Sequence, residues 1–180
     1  MESLDIRLIP YEVLPLGKDS GIIEFLKDAI TIDSLRKREG SLTFIKQDPI
    51  KVKNFMKTLV GYSLITYLLQ VKDRHNGNIM IRKDGSIIHI DYGFFLSNAP
   101  GKGVELEKNV AFKLTNEYVD ILGGLESKAF AEFRKLFYKG YYACHKHQHR
   151  ILILTKLMYS SHGTTMPCFM KGNESIEELE

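Results

Sequence analysis

Two apolar patterns organise this chain. The runs Ile79-Met80-Ile81-Arg82 and Ile87-Ile88-His89-Ile90 flank Lys83-Asp84-Gly85-Ser86, and an Asp-Gly turn between short β-branched runs predicts a β-hairpin. With Asp84 and Gly85 at the turn, paired residues have numbers summing to 169. That register sets Asn78 opposite Asp91, with Cβ atoms roughly 5 Å apart. The second pattern begins at Asp48-Pro49, a good helix start with Asp as N-cap and Pro at the first helical position. The predicted helix runs to residue 71. Phe55, Leu59 and Tyr62 fall on one face, Met56, Val60 and Tyr67 on another, and Leu64, Leu68 and Leu69 fill much of the rest. A helix this apolar all round belongs inside a domain, and its end delivers the chain into Asp73.

Elsewhere the pattern is weaker. Residues 6–16 read as strand interrupted by Pro10 and Pro15, and Gly17-Lys18-Asp19-Ser20-Gly21 as a turn that lacks the phosphate-loop spacing. An apolar stretch over 22–32 precedes Arg36-Lys37-Arg38, which reads as an exposed connection. Ser97 to about Lys113 is without periodicity and reads as a surface loop. Helices are expected over 115–122 and 127–158, separated by Gly123-Gly124, with a break near Gly140. The Cys144-His145-Lys146-His147-Gln148-His149 run reads as helix surface, because only His145 and His149 share a face.

Length and charge narrow the class. A chain of 180 residues with 44% apolar content supports one domain with a real core. A net charge of +3 is too small to argue for nucleic acid, and no such partner is expected. Between Ser127 and Leu157, Lys128, Arg134, Lys135, Lys139, Lys146, Arg150 and Lys156 face Glu132 alone. Such a region suits either anionic phospholipid or a solvated helix face. Two cysteines, Cys144 and Cys168, form neither metal spacing nor a disulfide framework, which fits a reducing cytosolic setting. The apolar stretch 59–71 is too short to span a bilayer, so membrane contact is expected to be peripheral.

Candidate chemistry lies at the hairpin. An amide oxygen and a carboxylate at Asn78 and Asp91 suit a hard divalent cation that also holds nucleotide phosphates. Asp73 precedes Asn78 by five positions, the spacing of base and metal-binding Asn in protein-kinase catalytic loops, although here the order is Asp-Arg-His.

Residues 64–78, ending in Asp73-Arg74-His75-Asn76-Gly77-Asn78, together with His89-Ile90-Asp91-Tyr92-Gly93, resemble the catalytic core of phosphatidylinositol 3- and 4-kinases. The similarity is greatest to type III 4-kinases of the beta branch. Ala111-Phe112-Lys113-Leu114-Thr115, Gly123-Gly124 and Pro167-Cys168-Phe169 extend it over nearly the whole chain. The resemblance implies an α+β fold: a mainly helical, kinase-like C-terminal lobe with a short catalytic hairpin and no N-terminal lobe. Residues 1–32 would form the hinge region, 33–180 the lobe, 71–79 the catalytic loop and 91–113 the activation loop. By the same resemblance Asn78 and Asp91 hold Mg2+ or Mn2+ bridging the ATP phosphates. Asp73 and His75 prepare the inositol hydroxyl, with the proton acceptor left open, and Arg74 steadies either the loop or the phosphoryl charge. Ile23-Glu24-Phe25-Leu26 matches the hinge, where backbone groups of Glu24 and Leu26 bond adenine and Ile23 adjoins it. Tyr11, Met80 and Ile90 line the adenine slot. Lys102, Lys108 and Lys113 of the activation loop, set against Glu105 and Glu107, favour phosphatidylinositol over more highly phosphorylated lipids. Tyr92 stands where the family has Phe, and Thr58 where it has Gly or Ser. The implied reaction gives phosphatidylinositol 4-phosphate. The alternatives are transfer to the 3-hydroxyl, or a truncated lobe that binds partners without catalysis; a related protein kinase is a weaker third. The resemblance also implies a cytoplasmic protein peripheral on Golgi-like internal membranes, with negligible activity from the 180 residues alone. No regulatory partner is legible.

Overall fold

A computed structural model describes residues 4–17, 20–96 and 110–162. Its elements in chain order are β1 (Val13–Gly17), β2 (Ser20–Ile23), β3 (Ala29–Thr31), α1 (Ile32–Glu39), α2 (Thr43–Lys46), α3 (Pro49–Leu68), β4 (Ile79–Arg82), β5 (Ile87–His89), α4 (Asn116–Ile121), α5 (Lys128–Lys146) and α6 (Gln148–His162). This is the expected α+β lobe.

The axis of the lobe is α3. Asp48 caps it, its carboxylate accepting the Ile50 N–H at 2.8 Å, and Pro49 opens it. Phe55, Met56, Leu59, Val60, Tyr62 and Leu64 are buried, so the middle of the helix is surrounded as its composition predicts, while Tyr67 and Leu68 at its end are exposed. It ends at Leu68 rather than residue 71. Gln70 takes a left-handed φ of 50°, and the Val71 N–H returns to the Thr66 carbonyl at 3.0 Å. This is a Schellman-type stop made without glycine, and it turns the chain sharply before Asp73.

The hairpin forms, but one residue out of the expected register. Ile79 pairs with His89, Met80 with Ile88 and Ile81 with Ile87. The cause is the turn. Three residues, Lys83 to Gly85, make the loop; the Gly85 N–H bonds the Arg82 carbonyl at 3.0 Å and the Arg82 N–H bonds Ser86 at 2.9 Å. Gly85 sits at φ 86°, the left-handed position of a type I turn with a G1 bulge. Asn78 therefore faces Ile90, whose N–H it accepts at 3.0 Å, and not Asp91. A third strand, β3, adds antiparallel to β4. The sheet is fastened to α3 by side chains. Asn54 donates to the Asp84 carbonyl at 3.0 Å, and the Thr58 hydroxyl donates to Asn54 and accepts the Ile87 N–H at 3.1 Å. Thr58, an oddity by sequence, is thus a bolt between helix and hairpin.

Three further expectations are corrected. Residues 6–11 are not strand; they run along α3, where the Tyr62 hydroxyl donates to the Ile9 carbonyl and accepts its N–H. The basic run Arg36-Lys37-Arg38 is not a loop but the outer face of α1, capped by Thr31 and closed by Gly40 in the left-handed region. Only Ile32 and Leu35 of that helix are buried, too few to show a period. Finally, α5 passes unbroken through Gly140, which is buried against Leu64 and Ile6, and the chain breaks at His147. Phe130, Phe133 and Gly140 form its buried stripe, while Arg134 and Lys135 stay exposed. The Lys18-Asp19 turn, Lys102, Lys108, Cys168 and the Pro167-Cys168-Phe169 segment lie outside the described residues.

Candidate active site

The segment after α3 and the segment after β5 run side by side. The Leu96 N–H bonds the Leu69 carbonyl and the Lys72 N–H bonds the Phe94 carbonyl, both at 2.8 Å. Within this frame Arg74 is the central brace. It is buried, and its guanidinium donates to the carbonyls of Lys72 at 2.9 Å and Ile90 at 2.8 Å, to Asp91 through a short bond, and weakly to Asn78. Tyr92 covers it, with the Arg74 guanidinium carbon 5.6 Å from the ring centroid. The aromatic body is what the position uses. Burial raises the Tyr92 hydroxyl pKa, so it stays neutral. Through these bonds the cation staples the 71–79 segment to the end of the hairpin.

Asp73 and Asp91 share a backbone state, with φ of 61° and 56°. Non-glycine residues rarely adopt it, Asp and Asn more than others. At Asp91 it ends strand geometry, so the strict face alternation that a one-residue register shift would invert no longer governs its side chain. Asn78 is buried, and its amide nitrogen donates to the Asp73 carbonyl at 2.9 Å and to Asp73 Oδ2 at 3.3 Å. Those bonds fix the amide orientation, with Oδ1 on the side turned from Asp73. Asp91 Oδ1 accepts the Gly93 N–H at 3.3 Å. Arg74 holds the backbones of Asn78 and Asp91 at one place despite the changed register.

His75 is exposed, with Nε2 3.7 Å from Asp73 Oδ2, and its Nδ1 accepts the Gly77 N–H at 3.0 Å. A ring nitrogen that accepts carries no proton, so the neutral imidazole bears hydrogen on Nε2. A Cβ on Gly77 would lie 2.9 Å from the His75 ring, which explains a glycine in this loop.

Around the nucleotide-side residues the strand alternation is regular. Asn78, Met80 and Ile90 share one face of the sheet, and His89 lies on the other, stacked on Tyr62 at 4.6 Å. Burial pushes His89 down to about 3, with Arg74 and Lys113 adding to the effect. Tyr11, Leu26, Met80 and Ile90 are partly buried against the core. Burial raises the Tyr11 pKa and Asp91 raises it further against Arg74, so Tyr11 lies within electrostatic reach of both. In the segment expected to be the hinge, the Glu24 N–H donates to the Glu12 carbonyl at 2.9 Å, while the Glu12 N–H is taken by the Glu24 carboxylate at 2.9 Å. The side chain substitutes for the Glu24 carbonyl in that pairing. Ile23 is strongly exposed.

Two residues without an assigned role in the sequence tie neighbouring segments together, Asn76 within the loop and Glu117 beside α1. Asn76 accepts the Asp33 N–H on its carbonyl at 3.0 Å and the Lys113 ammonium on Oδ1 at 2.7 Å. Glu117 accepts a short bond from Arg36 and the Leu42 N–H at 3.1 Å. The only sequence signal for Asn76 was its place inside the Asp73–Asn78 spacing.

Among the described residues no group of three or more His, Cys, Asp or Glu side chains is placed to bind a metal. An amide oxygen plus a carboxylate fits Mg2+ or Mn2+ nonetheless, because such ions keep waters and take phosphate oxygens beside one or two protein ligands.

Comparison with known proteins gives the family. The phosphatidylinositol 3- and 4-kinase family model matches residues 42–167. The chain is 39% identical to a phosphatidylinositol 4-kinase of Dictyostelium discoideum over 98% of its length. It is 38% identical to phosphatidylinositol 4-kinase beta 2 of Arabidopsis thaliana over 98%, and 37% identical to phosphatidylinositol 4-kinase beta of Danio rerio over 99%. It spans 16%, 17% and 22% of those relatives' lengths, respectively. With most of its length, residues 71–79 included, inside the matched region, the chain belongs to the phosphatidylinositol 3- and 4-kinase family.

Proposed function

We propose that these residues form the catalytic lobe of a lipid kinase that transfers the γ-phosphoryl group of ATP to the 4-hydroxyl of phosphatidylinositol. The observation that carries the reading is buried Arg74 bonded to the Asn78 and Asp91 carbonyls, with the Asn78 amide in turn bonded to Asp73. A strained, over-determined loop of this kind suits chemistry in which positioning and electrostatics do most of the catalysis. The relatives named phosphatidylinositol 4-kinase favour the 4-hydroxyl over the 3-hydroxyl.

Adenine would lie against Met80, Ile90 and Tyr11, bonded by the Glu24 carbonyl and the Leu26 N–H. Asn78 Oδ1 and the Asp91 carboxylate would hold Mg2+ or Mn2+, which when bound neutralises phosphate charge. The inositol oxygen attacks the γ-phosphorus, the bond to the β-phosphate oxygen breaks, and ADP leaves. The hydroxyl proton passes to the Asp73 carboxylate, because the His75 Nδ1 lone pair is engaged by Gly77. Nε2–H of His75 is then a donor to the developing negative charge. Lys102 and Lys108 remain the candidate contacts to the lipid phosphodiester.

No helix among the described residues is long and apolar enough to cross a membrane. Peripheral attachment to cytoplasmic faces of internal membranes, with phosphatidylinositol as the membrane partner, is the matching arrangement.

The test is product identity. The complete gene product carrying these residues is incubated with ATP, Mg2+ and phosphatidylinositol vesicles, and the phosphorylated headgroup is identified by chromatography. The expected product is the 4-phosphate, lost by roughly two orders of magnitude or more in Asp91→Asn. A sole 3-phosphate product, or phosphorylated peptide without phosphorylated lipid, refutes the assignment.

A further inference from the structure

Asn76 lies between His75 and Asn78 and is gripped at both ends. The Asp33 N–H, at the start of α1, donates to its carbonyl at 3.0 Å, and Lys113 donates to its side-chain oxygen at 2.7 Å. Lys113 belongs to the last residues of the activation loop, two positions before the α4 cap at Thr115. It is half-buried, with Arg36, Arg74 and Glu117 as the charged groups that influence it. Glu117 is itself bonded to Arg36 of α1 and to Leu42. The start of α1 and the end of the activation loop therefore meet on one asparagine of the catalytic loop, and Glu117 of α4 braces α1 beside them through Arg36. For Lys113 to reach a lipid phosphodiester it would have to abandon the Asn76 bond and leave that side chain without its partner.

We propose that Lys113 is a positioning residue for phosphoryl transfer: it ties the C-terminal end of the activation loop to the catalytic loop through Asn76, and does not read the lipid headgroup. The effect on turnover rests on the lipid-kinase reading; the clamp itself does not. Small displacements of a catalytic loop are costly, since a misplacement of about 1 Å can reduce rate ~100-fold.

The experiment compares Lys113→Met, Lys113→Arg, Asn76→Ala and the Lys113→Met/Asn76→Ala double variant in the complete gene product. It reads kcat and KM for phosphatidylinositol, slow ATP hydrolysis without lipid, and amide hydrogen exchange over residues 71–79. Lys113→Met is expected to lower kcat about 10- to 100-fold with lipid KM nearly unchanged, and to lower lipid-free hydrolysis by the same factor. Exchange over 71–79 should accelerate. Asn76→Ala should reproduce these effects, the double variant should add nothing, and Lys113→Arg, which keeps a donor, should recover most of the rate. A raised lipid KM with kcat and lipid-free hydrolysis intact overturns the proposal, as does unchanged exchange in Lys113→Met. If the wild type phosphorylates no phosphatidylinositol, the lipid-kinase reading falls, and the exchange comparison still decides the clamp.

Discussion

At the scale of single residues, the site depends on backbone states that residue types do not announce. Asp73 and Asp91 both occupy the left-handed region, a conformation costing of order 1 kcal/mol or more for a side chain with a Cβ. Arg74 offsets that cost with bonds to the Ile90 and Asp91 carbonyls after β5 and a weaker one to the Asn78 carbonyl before β4. The spacing of Asp73, Asn78 and Asp91 was legible because a motif preserves spacing. The contacts of Arg74 and Asn76 were not, since an arginine beside Asp73 serves equally well as staple or phosphate ligand until its partners are seen. His89 illustrates a second hidden property. It is buried on the core face with Arg74 and Lys113 as the nearest influential cations, and its folded pKa of about 3 lies below the ordinary 6.5. The unfolded chain therefore binds the proton first as pH falls. Stability supplied by neutral His89 is intact above pH 6.5 and declines toward pH 3, at up to about 1.4 kcal/mol per pH unit. A cation beside Asp91 would act in the same direction. Denaturant unfolding between pH 8 and 4 is expected to show this slope in the wild type and a flatter one in His89→Phe. An equally steep slope in that variant would remove His89 as its source.

Among elements, the outcome depended on how strongly the local pattern spoke. The cap and the all-round apolar surface of α3 were readable because Asp48-Pro49 and twenty residues of composition agree. The hairpin's existence was readable for the same reason, whereas its register was not. Asp-Gly suits a two-residue turn, yet the loop takes three residues because Gly85 closes onto Arg82 and Asn54 holds the Asp84 carbonyl. Tertiary anchoring decided between turns that local chemistry leaves close in energy. Helix α1 was missed because two buried apolar positions cannot establish a period. The turn itself is sharply testable. At Gly85 a Cβ would stand 2.5 Å from the Lys51 carbonyl oxygen, and φ is 86°. Gly85→Ala is predicted to cost about 2–3 kcal/mol by urea denaturation, from strain and overpacking together. A variant as stable as wild type would mean that the turn is not held against α3.

On the scale of the whole molecule, the lobe joins two surfaces. One is the exposed, apolar β1–β2 and hinge face, where Val13, Leu14, Leu16, Ile22, Ile23 and Phe25 are solvent-facing. The other is the basic outer side of α5, opposite the buried stripe of Phe130, Phe133 and Gly140. Between them, hinge, hairpin and catalytic loop must act as one unit if nucleotide is to be held at both ends. That cooperation is visible only in three dimensions, since the Asn78–Asp91 relation passes through Arg74 and not through a simple strand pair. The most direct test is binding of Mn2+·ATP, followed by the electron paramagnetic resonance of the ion, in the complete protein and in its Asn78→Ala and Asp91→Ala variants. The account predicts a protein-bound Mn2+·ATP signal in the wild type that each substitution weakens at least about tenfold. Undiminished Mn2+·ATP binding after removal of either side chain would contradict it.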